Sequence, residues 1–486
     1  MTKTYRRIIF WSFFFLFLIT APLAILYSQG YRFDQGRGIF VHSGSITVKP
    51  VPSGVNIFLD GKLQAGNSLD IINNSITLNG LRPGNYNLRV SADGYWDWEK
   101  NLEVHSGLST EFWNIVLSPK EPSLVEISSA GLEKYFPSPF GKKIAYFRKN
   151  NGNLEISVTD IKTNETKLVF SGAGLEFSKD EYDNLEWNYK ENFMVDPVVK
   201  DGQKDYVVMD TEGSFDPVFL SRLTNLFDFN RVRWSPQEKD SLYFLAKPEK
   251  NAKDNLYKYN LSSNKLDIVT EGIAAYDLSQ KTIYFVENNN ILYKSGLDGK
   301  NIVQVTFSPL APVELTNQSR LIVYDDDRET VITQNGELYV RNNAATDTIE
   351  KLSDNVKSIQ FSDDGKKLLF WNNNEISVLF LREWKVQPRR SENEVEQIIR
   401  FSSAIENVFW YRDYEHIFFT NQKKVKLVEL DERDHRLSYD LIENNLDSFP
   451  SSYDSGNGVF YFVKENNGQK TLLYFNFPAK TGIFGG

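Results

Sequence analysis

Ser362-Asp363-Asp364-Gly365-Lys366-Lys367-Leu368-Leu369-Phe370-Trp371 runs from a tight polar turn straight into an apolar strand. Asp and Gly supply the turn, Gly because it takes positive φ without a steric cost. The bulky residues after it suit a half-buried pleated surface. The same order recurs at Ser138-Pro139-Phe140-Gly141-Lys142-Lys143-Ile144-Ala145-Tyr146-Phe147. Trp234-Ser235-Pro236 leads to Leu242-Tyr243-Phe244, and Tyr276-Asp277-Leu278 to Ile283-Tyr284-Phe285. Weaker copies follow Trp187, Glu314, Trp410 and Tyr453.

The aligned copies begin at 137, 187, 234, 276, 314, 361, 410 and 453, a spacing of 38–50 residues. Each supplies a further strand, often after an Asn-rich turn such as Asn288-Asn289-Asn290 or Asn372-Asn373-Asn374. Fourth strands are visible after seven copies, for example 167–170, 265–269 and 302–305. A period of that length built only from strands predicts a β-propeller over 120–480. Eight blades is the expectation. Seven is the alternative, because the second and fifth copies are irregular. The eighth copy lacks a fourth strand of its own, and an orphan strand at 124–127 precedes the first copy. We expect that strand to complete the last blade, since closure removes an open sheet edge.

Ahead of the repeats, residues 44–119 alternate in shorter strands. Candidate strands are 45–49, 55–59, 86–90 and 111–117, punctuated by Asp60-Gly61, Leu81-Arg82-Pro83-Gly84 and Ala92-Asp93-Gly94. Trp96 and Trp98, two apart on one expected strand, would share a face. They are the candidate binding pair, a stacking platform for a sugar or partner protein. The competing reading has them cover the core or pack on the next domain.

Residues 8–27, IIFWSFFFLFLITAPLAILY, hold no charge. Twenty helical residues reach roughly 30 Å, the thickness of a hydrocarbon core. A cleavable signal peptide is the rival, with a usual apolar run of about 7–15 residues. This run is longer, and Pro22-Leu23-Ala24 is a poor cleavage site. An uncleaved anchor is expected. Lys3, Arg6 and Arg7 in the tail 1–7 favour a cytoplasmic N-terminus and an extracytoplasmic bulk, although Arg32 and Arg37 weaken the asymmetry. Residues 28–43 read as a connector and 481–486 as a tail.

Two resemblances follow. Pro52-Ser53-Gly54-Val55, Asp60-Gly61, Leu81-Arg82-Pro83-Gly84, Gly94-Tyr95 and Val116-Leu117 together resemble the PEGA domain. Ser53 and Val55 depart from its eponymous tetrapeptide. The resemblance implies a small β-sandwich-like module on a prokaryotic surface protein, without catalytic residues. The loops Ser362–Lys366 and Ser138–Lys142 resemble the Ser-Pro-Asp-Gly-Lys loop of WD40-like, TolB-type propellers, departing at Asp363 and Phe140. That resemblance implies architecture and leaves function open, since propellers host many activities.

Composition removes several chemistries. The 486 residues include no Cys, so disulfides, thiol nucleophiles and Cys-ligated metals are out. Net charge is −9, an unfavourable balance for nucleic acid. His42, His105, His416 and His435 lack zinc-site spacing. No Gly-x-Ser-x-Gly elbow occurs, and Gly296-Leu297-Asp298-Gly299-Lys300 is not a phosphate loop. Asp325-Asp326-Asp327 reads as a solvated tip, with calcium as the alternative. The sequence therefore assigns no catalytic residue, metal ligand or cofactor. It predicts a membrane-held protein that recognises an envelope protein, peptide or glycan through propeller loops. The alternatives are an envelope-polymer enzyme with carboxylates in the channel, or a TolB-like assembly factor.

Overall fold

The computed structural model describes residues 3–36, 38–64, 74–128, 131–178, 180, 182–325, 327–342 and 349–477. The proposed tail 481–486 and Asp326 lie outside these residues. One long helix, Lys3–Ser28, begins the chain, and none of its side chains is buried. Its length and composition suffice to cross a membrane. Pro22 sits within it.

The segment expected as a connector is structured. Tyr31–Asp34 pairs antiparallel with Ile39–His42, placing Phe33 opposite Phe40. Two small sheets follow. Ile76–Leu81, Gly44–Val51 and Ser109–Val116 form one, with the last two strands parallel. Lys62–Leu63, Asn56–Leu59, Gly84–Ser91 and Trp98–Val104 form the other. Ile46, Val48, Ile57, Leu88, Val90, Leu102 and Phe112 close the sandwich core between them.

Among the described residues, the remaining strands form eight sheets, each a blade. Blade 1 comprises Leu132–Pro137, Lys143–Asn150, Asn153–Asp160 and Thr166–Ala173. Blades 2–7 span 175–219, 227–270, 273–304, 320–353, 358–400 and 405–443. Blade 8 takes Ser451–Asp454, Val459–Asn466 and Gln469–Asn476 from the end of the chain. Its fourth strand is Val125–Ser128, antiparallel to Gln469–Asn476 with Val125 opposite Tyr474. The orphan strand thus ties the ring shut as the sequence predicts.

The packing shows that the blades form a ring. Eight apolar clusters each join two consecutive blades, from blades 1 and 2 round to blades 8 and 1. The closing cluster sets Leu132, Tyr135, Ile144 and Tyr146 of blade 1 against Val459, Tyr461, Val463 and Leu472 of blade 8. The first strands of neighbouring blades touch and ring the axis, as Ile273–Leu278 does with Arg320–Asp325. Fourth strands carry the exposed side chains, including Leu168, Ile268 and Val303.

The loop Ser362–Lys366 does what its residues suggest. It joins the first two strands of blade 6, with Gly365 at φ +64°. A Cβ there would collide with Arg328 and Tyr324 of blade 5. Ser362 Oγ accepts the Lys366 and Lys367 amides at 3.2 and 2.9 Å. Blade 2 explains its irregular repeat: residues between Leu175–Phe177 and Glu186–Trp187 interrupt its first strand, and both pieces pair with Phe193–Lys200.

Candidate functional site

Three regions concentrate polar side chains: the junction of sandwich and ring, the channel wall, and the propeller face away from the sandwich.

The junction begins on Trp98–Val104. Alternation turns Trp98, Lys100, Leu102 and Val104 to one buried face. Lys100 is wholly buried, and its Nζ lies 2.7 Å from Glu429 Oε1 and donates to the Asp431 carbonyl at 2.9 Å. Trp98 Nε1 donates to Glu429 Oε2 at 3.1 Å. The Leu437 amide donates to Glu429 Oε1 at 2.9 Å, so this buried carboxylate is fully engaged. Arg433 lies 3.7 Å from the Phe112 ring and donates to the Glu111 carbonyl at 2.8 Å. Gln387 Oε1 accepts the Glu111 amide at 3.1 Å, while its Nε2 donates to the Ser109 carbonyl at 3.0 Å. That side chain acts like one residue of a neighbouring strand on the edge Ser109–Val116. His416 sits below, 2% exposed, with Nδ1 2.8 Å from Asp413 Oδ2. Burial disfavours its charged form, but Asp413, Glu429 and Glu415 outweigh that and raise its pKa.

The channel wall holds a belt of opposite charges on the first strands. Arg233 Nε lies 2.8 Å from Glu186 Oε2, and its Nη1 is 3.5 Å from Asp277 Oδ1. Burial pushes the Glu186 and Asp277 carboxyls up, against the pull of Arg233. Both also hold the next blade. Glu186 Oε1 accepts the Trp234 amide at 3.2 Å, and Asp277 Oδ2 accepts the Val323 amide at 2.9 Å. Gln360 does the same for Trp410 at 3.1 Å. In both pairs the Trp Nε1 returns a bond to the partner's carbonyl, at 3.0 and 3.1 Å. The blade 2 interruption reaches further across the ring, where the Arg320 guanidinium of blade 5 lies 3.5 Å from the Tyr182 ring. Asp183 beside it accepts from Tyr206 and Lys204. Asp196, 4% exposed, has its carboxyl raised well above the usual range by burial.

Strand parity separates the two propeller faces. First–second and third–fourth connections lie at one end of each blade, and the others at the opposite end. The sandwich contacts Gln387, Asp431 and Arg433, all from third–fourth connections of blades 6 and 7. The opposite face carries an open depression of about 580 Å³ on blade 7. Glu406, Lys423, Lys424, Glu443, Asp447 and Ser448 line it. Apart from Ala404 its lining side chains are charged or polar, so it offers hydrogen-bond donors and acceptors set among their aliphatic stems.

Residues 43–119 match the family model described as the PEGA domain. This sandwich is a PEGA domain. The match starts one residue before the 44–119 read from sequence. A comparison with curated proteins finds no match. Among solved structures, the chain is similar to the Dos1 propeller, with 12% identity, 73% of this chain, 94% of that chain and TM-score 0.46. It is also similar to the β-propeller domain of Cps50 (Swd1) from Myceliophteria thermophila: 11% identity, 72% and 98% covered, TM-score 0.41. A third is oligogalacturonate lyase from Vibrio parahaemolyticus: 10% identity, 74% and 94% covered, TM-score 0.39.

The Trp96–Trp98 platform requires correction. Trp98 belongs to the PEGA core and touches the propeller, whereas Trp96 is 48% exposed with Lys120 Nζ 5.4 Å from its ring. The strand starts only at Trp98; Trp96 lies before it, beside the isolated bridge of Tyr95 with Pro119 and with its amide donating to the Ser118 carbonyl, so the two-residue alternation does not reach it. Asp325 and Asp327, at the proposed solvated tip, are instead held by arginines. Arg328 reaches Asp325 at 2.7 Å and Arg382 reaches Asp327 at 2.6 Å. Of the four His, only His416 is buried; His42, His105 and His435 are not. Sequence reasoning missed Lys100, Gln387, Glu429 and Arg433. Their partners lie hundreds of residues away, and no local pattern marks them.

Proposed function

We propose that the chain is a membrane-anchored extracytoplasmic binding or scaffolding protein whose open propeller face recognises a partner. The observation that carries this reading is the junction at blades 6 and 7. It commits one propeller face to the PEGA domain and aims the other away from it. Recognition by loops on a rigid scaffold then needs no moving part. The acidic and lysine side chains of the blade 7 depression suit a polar partner, such as a peptide or an envelope glycan. The N-terminal basic residues support a cytoplasmic tail.

Photo-cross-linking from Gln422 on intact cells tests this. An envelope component enriched over an anchor-only control, and reduced by Lys423→Glu/Lys424→Glu, is the expected result. Equal capture by all three proteins would defeat the reading. Protease shaving of intact cells tests the orientation, with digestion of the ectodomain expected before permeabilisation.

A second reading is an enzyme acting on an envelope polymer. It draws on the raised carboxyls of Glu186, Asp196 and Asp277. Against it, Glu186 and Asp277 are occupied by Arg233 and by backbone amides. Release of sugars or peptides from purified envelope material, abolished in Asp196→Asn, would favour this reading over binding.

A further inference from the structure

We propose that the hairpin Tyr31–Asp34/Ile39–His42 is a second membrane contact, seated in the bilayer interface and holding the PEGA domain against the lipid surface. This rests on reading residues 8–27 as membrane-spanning.

The hairpin is fastened to the end of the helix. The Gln29 and Gly30 amides donate to the Ile25 and Tyr27 carbonyls at 3.0 and 3.1 Å. The Arg32 guanidinium lies 3.7 Å from the Tyr27 ring and donates to the Tyr27 carbonyl at 3.0 Å. The Ser43 amide and hydroxyl both donate to the Gly30 carbonyl, at 2.8 and 2.7 Å, which joins the two ends of the hairpin. The hairpin is also fastened to the PEGA domain, where Ser106 Oγ donates to the His42 carbonyl at 3.0 Å. Helix end, hairpin and PEGA turn therefore meet at one place.

Beside those polar contacts, that place exposes a set of apolar side chains. Phe33, Ile39 and Phe40 are 45%, 52% and 41% exposed, and Leu108 in the adjoining PEGA turn is 60% exposed. Phe33 and Phe40 form an edge-to-face pair with ring centroids 5.3 Å apart. This surface continues the exposed Ile25 and Tyr27 of the last helical turns. Four strand residues reach about 13 Å, and each interfacial zone is roughly 5–7 Å deep. Fastened at the end of the helix, the hairpin starts inside that zone, where aromatic rings are favoured. The continuity of the patch with the helix selects the bilayer as its cover.

The absence of Cys allows a direct test by single labels. The full chain is reconstituted into phosphatidylcholine–phosphatidylglycerol vesicles, with an environment-sensitive fluorophore at Leu16→Cys, Ile39→Cys, Leu108→Cys or Lys300→Cys. Nitroxide lipids quench at shallow or deep positions. The Ile39 and Leu108 labels should shift to the blue and be quenched several-fold more by the shallow probe than the Lys300 label. Phe33→Ser/Phe40→Ser should abolish the shift at Leu108. Deep quenching at Leu16 with Ile39 and Leu108 behaving like Lys300 would overturn the inference and leave the anchor intact. Absence of quenching at Leu16 would remove the anchor, and the inference with it.

Discussion

Lys100 is a charged residue on the buried face of a strand, and its environment explains why it is tolerated. Glu429 neutralises it, the Asp431 carbonyl takes a second proton, and Trp98 and Leu437 fill the remaining acceptor sites of Glu429. Breaking a buried pair by removing one partner costs about 3–5 kcal/mol, because the other charge stays buried. Lys100→Met should therefore destabilise the folded chain by about that much in urea unfolding. Lys100→Met/Glu429→Leu should recover part of the loss, a coupling that a mere packing defect would not show. His416 adds a pH-dependent term. Its pKa is raised in the fold, so it binds its proton more tightly folded than unfolded. Its contribution is complete below the unfolded value of about 6.5 and fades as pH rises through the folded value. Thermal unfolding across pH should show wild type outlasting His416→Gln most near pH 6, with the gap narrowing as the solution becomes alkaline. The groups around this imidazole are Asp413, Glu415 and Glu429, with Lys367 bonded to Glu415 and Lys100 to Glu429. None of this was legible from the sequence, because a strand pattern reports which face is buried and not what lies against it. The Trp96–Trp98 pair illustrates the same limit: alternation predicts a shared face only within the strand, and the strand begins at the second Trp.

At the scale of elements the sequence said more. Gly- and Asn-containing turns recurring every 38–50 residues are local chemistry, and local chemistry is what a chain displays openly. Gly365 carries both a left-handed φ and a close approach to Tyr324 and Arg328, so the turn and its neighbour both demand glycine. The closing strand was readable for another reason: an eighth copy missing one strand, and one unassigned strand upstream, leave a single economical pairing. The blade 2 interruption was less readable, since its first strand is two short pieces and the repeat signal falls between them. Closure predicts its own test. Ile127 packs into the cluster joining blades 8 and 1, next to Val459, Tyr461 and Leu472. Ile127 is partly buried, so Ile127→Asp, which places a carboxylate there, should cost about 1–2 kcal/mol from lost burial alone. It should also expose the strand Gln469–Asn476 as an open edge. Calorimetry should report a lower transition, and size-exclusion chromatography should report concentration-dependent self-association. A comparable change at the exposed Leu168, on the fourth strand of blade 1, should leave both unchanged.

For the whole molecule, the junction decides whether the propeller swings on a tether or stands at a fixed height above the membrane. Gln387 and Arg433 reach from blades 6 and 7 to the edge strand Ser109–Val116, and Asp434 accepts the Asn101 amide at 2.8 Å. Val116 belongs to the apolar cluster of blades 7 and 8, so the two domains share core as well as polar contacts. The chain between them is short, from the end of Ser109–Val116 to the closing strand Val125–Ser128. Lys120, Glu121, Ser123 and Leu124 of this strap are exposed, but the packed junction fixes both its ends, so the strap cannot open into the extended form a protease needs while the junction holds. Gln387→Ala/Arg433→Ala removes two clamps, and the guanidinium over Phe112, while leaving the apolar side chains of both cores in place. Limited proteolysis should then cut near residues 119–124 several-fold faster than in wild type, while the melting of the propeller changes little. Equal cleavage rates would mean that the buried Lys100–Glu429 pair and Val116 suffice to lock the domains. In that case, cleavage should accelerate only in Lys100→Met. The two outcomes divide the junction into its rim and its centre, and each assigns the rigidity to named residues.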